Sequence, residues 1–253
     1  MQIKFISLNL WEGGQLKENI IGFLQKEKPD LLFLQEAWQC TKAIKHIEIE
    51  RLKRLLNIPY VVFAPSMATR ENGKKIIWGN AILSKLPILD THTTFFSGQY
   101  TDNYVQKEKG DFRDVPRNYL YAKIKAKGNI LNAVNIHGIW DFHGEDNPKR
   151  LKMSETVIKE IRNKKHIILS GDFNTKPHTK SIRDIEQYLK NIFKGELTTS
   201  FNMKRKDPPG NYGTAVVDMT FVSPDIKIIF HSCPQVDISD HLPLVCQFEI
   251  QSG

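Results

Sequence analysis

The stretch Ile167–Pro177, IILSGDFNTKP, is an apolar run that meets a glycine and then sets Asp172 and Asn174 two residues apart. Such a run reads as a buried strand. It is expected to break at Gly171. Backbone that stays extended through Phe173 would bring Asp172 and Asn174 to one side and turn Phe173 into packing. A plain turn would use the same residue types. What separates the two readings is whether other strands end in the same way.

They do. Segments 3–9, 30–35, 60–64, 76–83, 119–125, 130–136, 166–170, 216–222, 226–230 and 243–250 all alternate or run apolar as strands do. Helical spacing is expected over 15–27, 39–56, 148–163 and 180–190, with Pro148 suited to the first turn, where its missing N–H costs nothing. Gly128-Asn129 joins two strands as an antiparallel hairpin over 119–136. So many strands do not share one small sheet, which predicts an α/β fold with two packed sheets and helices outside. No repeat, linker or low-complexity tract divides residues 1–253, so one domain is expected.

Composition narrows the class. The chain is 40% hydrophobic and 25% charged, as a globular protein is, and carries a net charge of +8, which draws polyanions or anionic surfaces. Solvated lysines on helices and turns would give the same sum. Cys40, Cys233 and Cys246 form no CxxC pair, which argues against a zinc knuckle or a disulfide scaffold. The N-terminal segment lacks the run and cleavage site of a signal peptide, and no run approaches the roughly 18 apolar residues of a membrane span. A cytoplasmic protein without stable membrane association is expected, and no protein partner is implied.

The polar residues at strand ends carry the chemistry. Asn9 closes FISLN, Glu36 closes LLFLQE, His137 closes AVNIH, Asp218 sits in AVVDMTFVS, and Asp240 and His241 stand in ISDHLPLV. Each alone could cap, turn or fill a core. Together, carboxylates crowded at buried strand ends repel and lose hydration unless a cation or proton offsets them. The set is rich in oxygen and free of thiolate, which suits Mg²⁺, with Mn²⁺ as a substitute, better than zinc. A hard ion beside a base and two imidazoles is equipment for attack of water on phosphorus.

The motifs SLNLW, LLFLQEAW, GNAILSKLPI, NIHGIW, GDFNTKP, VDMTFVS and SDHLPL follow one another over residues 7–244, and in that order the chain resembles the endonuclease/exonuclease/phosphatase superfamily. The resemblance implies a deoxyribonuclease I-like, four-layer fold: a two-sheet β-sandwich flanked by helices, with the site at one end of the sheets. It implies Glu36 as the principal metal-binding carboxylate, assisted by Asn9 and Asp240. Asp172 would orient or deprotonate the attacking water and Asn174 would hydrogen-bond the phosphate or nucleophile. His241 would stabilise charge on the phosphoryl oxygens, with Asp218 orienting its ring. His137 aligns the chain with the deoxyribonuclease I, deadenylase, sphingomyelinase and inositol-phosphatase branches rather than the abasic-site branch, which has a tyrosine there, and would protonate the leaving oxygen. Asn80 matches a supporting position.

Two long polar segments, 97–118 and 202–213, interleave aromatic residues with Arg113, Arg117, Lys204, Arg205 and Lys206, the composition of a nucleic-acid groove. Substrate contacts are expected from Arg113, Arg117, Lys204 and Arg205. Trp11, Trp38, Trp78 and Trp140 sit beside motif residues, where core packing is the expected role and a base-stacking wall the alternative. The expected activity is Mg²⁺-dependent hydrolysis of phosphodiester bonds, with nucleic acid as the substrate. The alternatives are a phosphatase or phosphodiesterase on phospholipid head groups, inositol phosphates or small phosphodiesters, and a non-catalytic binding module on the same fold, against which the completeness of the set speaks.

Overall fold

The computed structural model describes residues 1–40, 47–71, 73–108, 110–206 and 214–250. Sheet A has the order β11-β12-β1-β2-β4-β3, built from β1 (Gln2–Asn9), β2 (Leu31–Cys40), β3 (Tyr60–Glu71), β4 (Lys74–Ser84), β11 (Ile226–Ser232) and β12 (Leu244–Ile250). Sheet B has the order β5-β6-β7-β8-β10-β9, built from β5 (Ile88–Ser97), β6 (Arg117–Ala126), β7 (Asn129–His137), β8 (Ile167–Asp172), β9 (Lys190–Asn191) and β10 (Asp218–Val222). Each sheet is centred on one parallel pair, β1 with β2 and β7 with β8. Helices α1 (Lys17–Glu27) and α3 (Pro148–Ile161) make those crossovers, while α2 (Ile49–Leu56) and α4 (Lys180–Glu186) lie beside them.

Strand periodicity sorts the core into three layers. On β1, Ile3 and Phe5 face the other sheet, and Ile6 and Leu8 face α1 and α2; on β2, Leu31 and Phe33 point inward, and Leu32 and Leu34 outward. The outer face of sheet B packs Val134, Ile136, Leu169 and Phe221 against Met153, Val157 and Ile161 of α3 and Ile182 and Ile185 of α4. Two sheets with helices on both outer faces give the expected four-layer sandwich.

The inward face changes character along each strand. On β1 the series Ile3, Phe5, Ser7, Asn9 runs from apolar to polar; on β7 it is Leu131, Ala133, Asn135, His137, and on β8 Ile168, Ser170, Asp172. All these polar members are buried. They are linked within and between the sheets: Gln35 Nε2 donates across the gap to Asn135 Oδ1 at 2.6 Å and, within sheet A, to Ser7 Oγ at 3.3 Å, and within sheet B Ser170 and Thr220 share a hydroxyl hydrogen bond of 2.7 Å. One end of the sandwich is therefore a dry core and the other a connected polar layer.

Several sequence expectations are corrected. β2 does not stop at Gln35. A bulge between Leu34 and Ala37 carries it on to Cys40, so the start of the helix expected over 39–56 is strand, residues 41–46 lie outside the described residues, and the helix begins at Ile49. β5 has five consecutive exposed residues in an edge position, so its sequence lacks the apolar alternation that marks a strand. The β6–β7 register pairs Ala126 with Asn129, placing the turn at Lys127-Gly128, both with positive φ as a two-residue hairpin requires. Pro148 does open α3. Cys246 is buried and Cys233 partly so, both as free thiols.

Gly171 does not break its strand. β8 continues through it to Asp172, with Gly171 paired to Met219 on one side and Ile136 on the other. Its φ is +148°, and a Cβ there would stand 2.0 Å from the carbonyl oxygen of Ile136. Glycine lets β7 and β8 approach closely just before they deliver His137 and Asp172. Gly171→Ala is therefore expected to cost about 2 kcal/mol or more by combining backbone strain and overpacking. Thermal unfolding measures this, and an unchanged midpoint would show that the strands can separate at that point.

Candidate active site

The polar ends of both sheets open into one cavity of about 200 Å³, and Glu36, His137, Asp172, Asn174, Asp240 and His241 line it. Glu36 reaches it because of the β2 bulge, where its φ is +51°. A bulge re-aims a side chain, and a non-glycine residue at positive φ is held there at a cost. Asn135 of sheet B steadies the bulge by donating to Leu34 O at 3.0 Å and Ala81 O at 2.9 Å. Glu36 Oε2 accepts from the backbone N–H of Glu12 at 2.6 Å.

Asn9 joins the carboxylates of the two sheets. Its Nδ2 donates to Glu36 Oε1 and to Asp172 Oδ2, each at 3.2 Å, while its Oδ1 accepts from the N–H of Trp11 at 3.0 Å. The amide nitrogen faces the carboxylates and here spaces and orients Glu36 and Asp172. Asp172 also receives the backbone N–H of Asn174 at 2.8 Å and its Nδ2 at 3.1 Å. Asn174 makes these bonds from the left-handed region, at φ +52°. Phe173 is fully buried against Phe221, as expected.

The two histidines differ in surroundings. His241 Nδ1 is 2.8 Å from Asp218 Oδ2, which also accepts from Ser200 Oγ at 2.7 Å, and His241 Nε2 lies 4.0 Å from Asp172 Oδ2. Burial alone would lower its pKa, but Asp218, Asp240 and Asp172 push it up to about 9. His137 Nε2 lies 3.5 Å from Asp172 Oδ2, and Arg117 Nη1 is 2.8 Å from each of its ring nitrogens. Burial, then Arg117 and His241, hold His137 well below the ordinary histidine range. The neutral ring so favoured keeps one N–H to donate and one nitrogen to accept. Burial pushes the Asp172 carboxyl up to about 6, against the opposing pull of His241.

The expected substrate contacts divide. Arg117 and Asn80 line the cavity, Asn80 held by its donation to Asn118 Oδ1 at 2.9 Å. Arg113 is exposed, forks onto Asp111 and lies over the Phe142 ring at 4.9 Å, outside the cavity wall. Arg205 forks onto Asp237, and Lys204 is exposed; neither lines the cavity. The residue missed is Lys206, which reaches Asp240 Oδ2 at 2.9 Å and lies 4.4 Å over the Phe201 ring. Three tryptophans, Trp11, Trp78 and Trp140, line the cavity with Phe112 and Phe201, while Trp38 packs behind Trp78 at 4.5 Å. Tyr212 lies outside the described residues.

The donor set suits a hard cation: it is rich in carboxylates, and among the described residues no thiol lines the cavity. Asp172, Asp218 and His241 present atoms all within 4.8 Å of one another and could share an ion. Asp218 is committed to His241 and Ser200, so among the described residues the carboxylates that line the open space are Glu12, Glu36, Asp172 and Asp240.

The sequence matches the Endonuclease/Exonuclease/phosphatase family over residues 6–241. The chain belongs to that family. Its members are metal-dependent hydrolases of phosphoester bonds, and they include both nucleases and phosphatases. Solved members of the endonuclease/exonuclease/phosphatase family share its fold. One from Bacteroides vulgatus is 17% identical, with a TM-score of 0.74 over 99% of this chain and 100% of that one. A mannosyl-6-phosphatase from Bacteroides thetaiotaomicron is 18% identical, with a TM-score of 0.69 over 98% and 100%. TDP2 from D. rerio, complexed with a single-strand DNA product, is 15% identical, with a TM-score of 0.70 over 98% and 99%. A comparison with curated protein sequences returns no match. Among the described residues, no helix is long and apolar enough to cross a membrane.

If the Asn9 bridge organises the cation-facing carboxylates, Asn9→Ala weakens divalent-ion binding about 10- to 100-fold, as loss of an outer-shell partner does. Titration with Mn²⁺ followed by electron paramagnetic resonance measures it. Unchanged affinity would show that Glu36 and Asp172 are placed without the amide.

Proposed function

We propose that the protein hydrolyses phosphodiester bonds of nucleic acid with Mg²⁺, for which Mn²⁺ can substitute. The observation that carries this reading is the shared cavity: the carboxylates and imidazoles stand in one wall with two cations, Arg117 and Lys206, and a row of aromatic rings. Cations on phosphate and rings under bases are the two elements of single-strand recognition. The similarity of fold to a TDP2 that holds a single-strand DNA product supports the same substrate class.

Glu36 and Asp240 would hold the ion. When bound, it supplies Lewis-acid polarisation of a phosphoryl oxygen. Asp172 takes a proton from the attacking water, its carboxylate fixed by Asn9 and Asn174. His241, oriented by Asp218, faces the charge that builds on the phosphoryl oxygens. Arg117 and His137 hold the phosphate from the sheet B side, and Lys206 from the side of Asp240.

A second reading keeps this chemistry on a small phosphoester. The cavity is smaller than the roughly 300–1,000 Å³ of sites that engulf drug-sized ligands, which suits entry of a phosphate and one ring. The mannosyl-6-phosphatase of similar fold supports it.

A panel of single- and double-stranded DNA and RNA, sugar and inositol phosphates and lipid head groups, each with Mg²⁺, Mn²⁺ or EDTA, separates the two. Cleavage of polynucleotide that EDTA abolishes is expected; hydrolysis confined to small esters would reverse the ranking. Asp172→Asn and His241→Ala should each lower kcat about 10²- to 10⁴-fold with an unchanged circular dichroism spectrum. Lys206→Ala should reduce the salt slope of polynucleotide binding by about 1, and an unaltered slope would remove Lys206 from the phosphate contacts.

A further inference from the structure

Arg150 stands in the first turn of α3, where the N-cap Asn147 accepts its backbone N–H and Pro148 precedes it. The positive end of a helix disfavours a cation there. It is nevertheless only 1% exposed, whereas the other buried charged residues among those described, such as Arg117, Asp172 and Asp240, stand at the cavity. A guanidinium taken out of water must be met by well-placed acceptors.

Those acceptors are backbone carbonyls on two loops. Nε donates to Ile139 O at 3.1 Å and Nη1 to Glu145 O, both in the segment that follows β7; Nη2 donates to Asn174 O at 2.6 Å, in the segment that follows β8. The first segment leaves His137 and carries Trp140, and the second leaves Asp172 and carries Asn174. They touch elsewhere too: Gly138 N–H donates to Asp172 O at 2.7 Å and Lys176 N–H to Gly144 O at 2.9 Å. A Cβ at Gly138 would stand 2.1 Å from Phe173 O, so no side chain separates them.

We infer that Arg150 is a positioning residue of the site: its planar fork locks the loops after β7 and β8 to one another and holds Asn174 in the left-handed conformation that aims its amide at Asp172. A rigid five-donor fork can satisfy carbonyls that diverge in this way, whereas a lysine ammonium is a single point. The kinetic consequence rests on the hydrolase reading above; the placement of the loops does not.

Arg150→Lys tests both, with Arg150→Gln as the second variant should the lysine fail to fold. Amide hydrogen exchange, read by mass spectrometry without substrate or metal, is expected to speed up in 138–147 and 173–176 together, with the sheets still protected. With the substrate identified by the panel, kcat should fall about 100-fold with KM nearly unchanged, the loss expected when reacting groups shift by about 1 Å. Faster exchange confined to the first turn of α3, or a variant with wild-type kcat, would reduce Arg150 to a helix-packing residue. If the wild type hydrolysed nothing in the panel, the functional reading would fall while the exchange result still decided the role of Arg150.

Discussion

Two carboxylates from different sheets, Glu36 and Asp172, converge on one amide. Like charges brought together repel, and Asp172 is buried while Glu36 is half-buried. Asn9 answers by offering one N–H to each, and its own oxygen is held by Trp11. The surrounding structure follows from keeping this arrangement in place. The bulge that exposes Glu36 is steadied from the opposite sheet by Asn135, and Asp172 is fixed from its own loop by Asn174. Asp218 and Ser200 complete the set by orienting His241.

The gradient from apolar to polar along the inward strand faces explains how a sandwich can be firm and reactive at once. Phe5, Phe33, Ile168 and Phe248 make a dry core at one end that tolerates no charge. Gln35 and Asn135 then bridge the sheets by a hydrogen bond, with Ser7 and Ser170 tied in on either side, so the strand-borne site residues stand on a connected polar floor.

Much of this is legible in the residues themselves. Strands with an inward apolar face announce themselves by period, and residues that close them, such as His137 and Asp172, can be picked out as a group. Features that depend on tertiary context cannot. β5 is an edge strand whose outward residues carry no pattern, and Glu36 enters the cavity through a bulge that Leu34-Gln35-Glu36-Ala37 does not advertise. Among Lys204, Arg205 and Lys206 composition makes no distinction; the fold pairs Arg205 with Asp237 and Lys206 with Asp240. Arg150 did leave a trace, a cation in a first helical turn, where the dipole argues for an acid.

The neighbours of β1 bear on how the chain folds. Strand β1 pairs with β12, Gln2 opposite Glu249, so two strands far apart in the sequence must find one another. Contacts so distant in sequence are slow to form, and until they form, sheet A lacks a central strand. Asn9 lies on one of these strands, and Asp240 and His241 immediately precede the other. Until that pairing forms, Asp240 and His241 are not gathered with Asn9, Glu36 and Asp172, so the cavity is complete only when sheet A is.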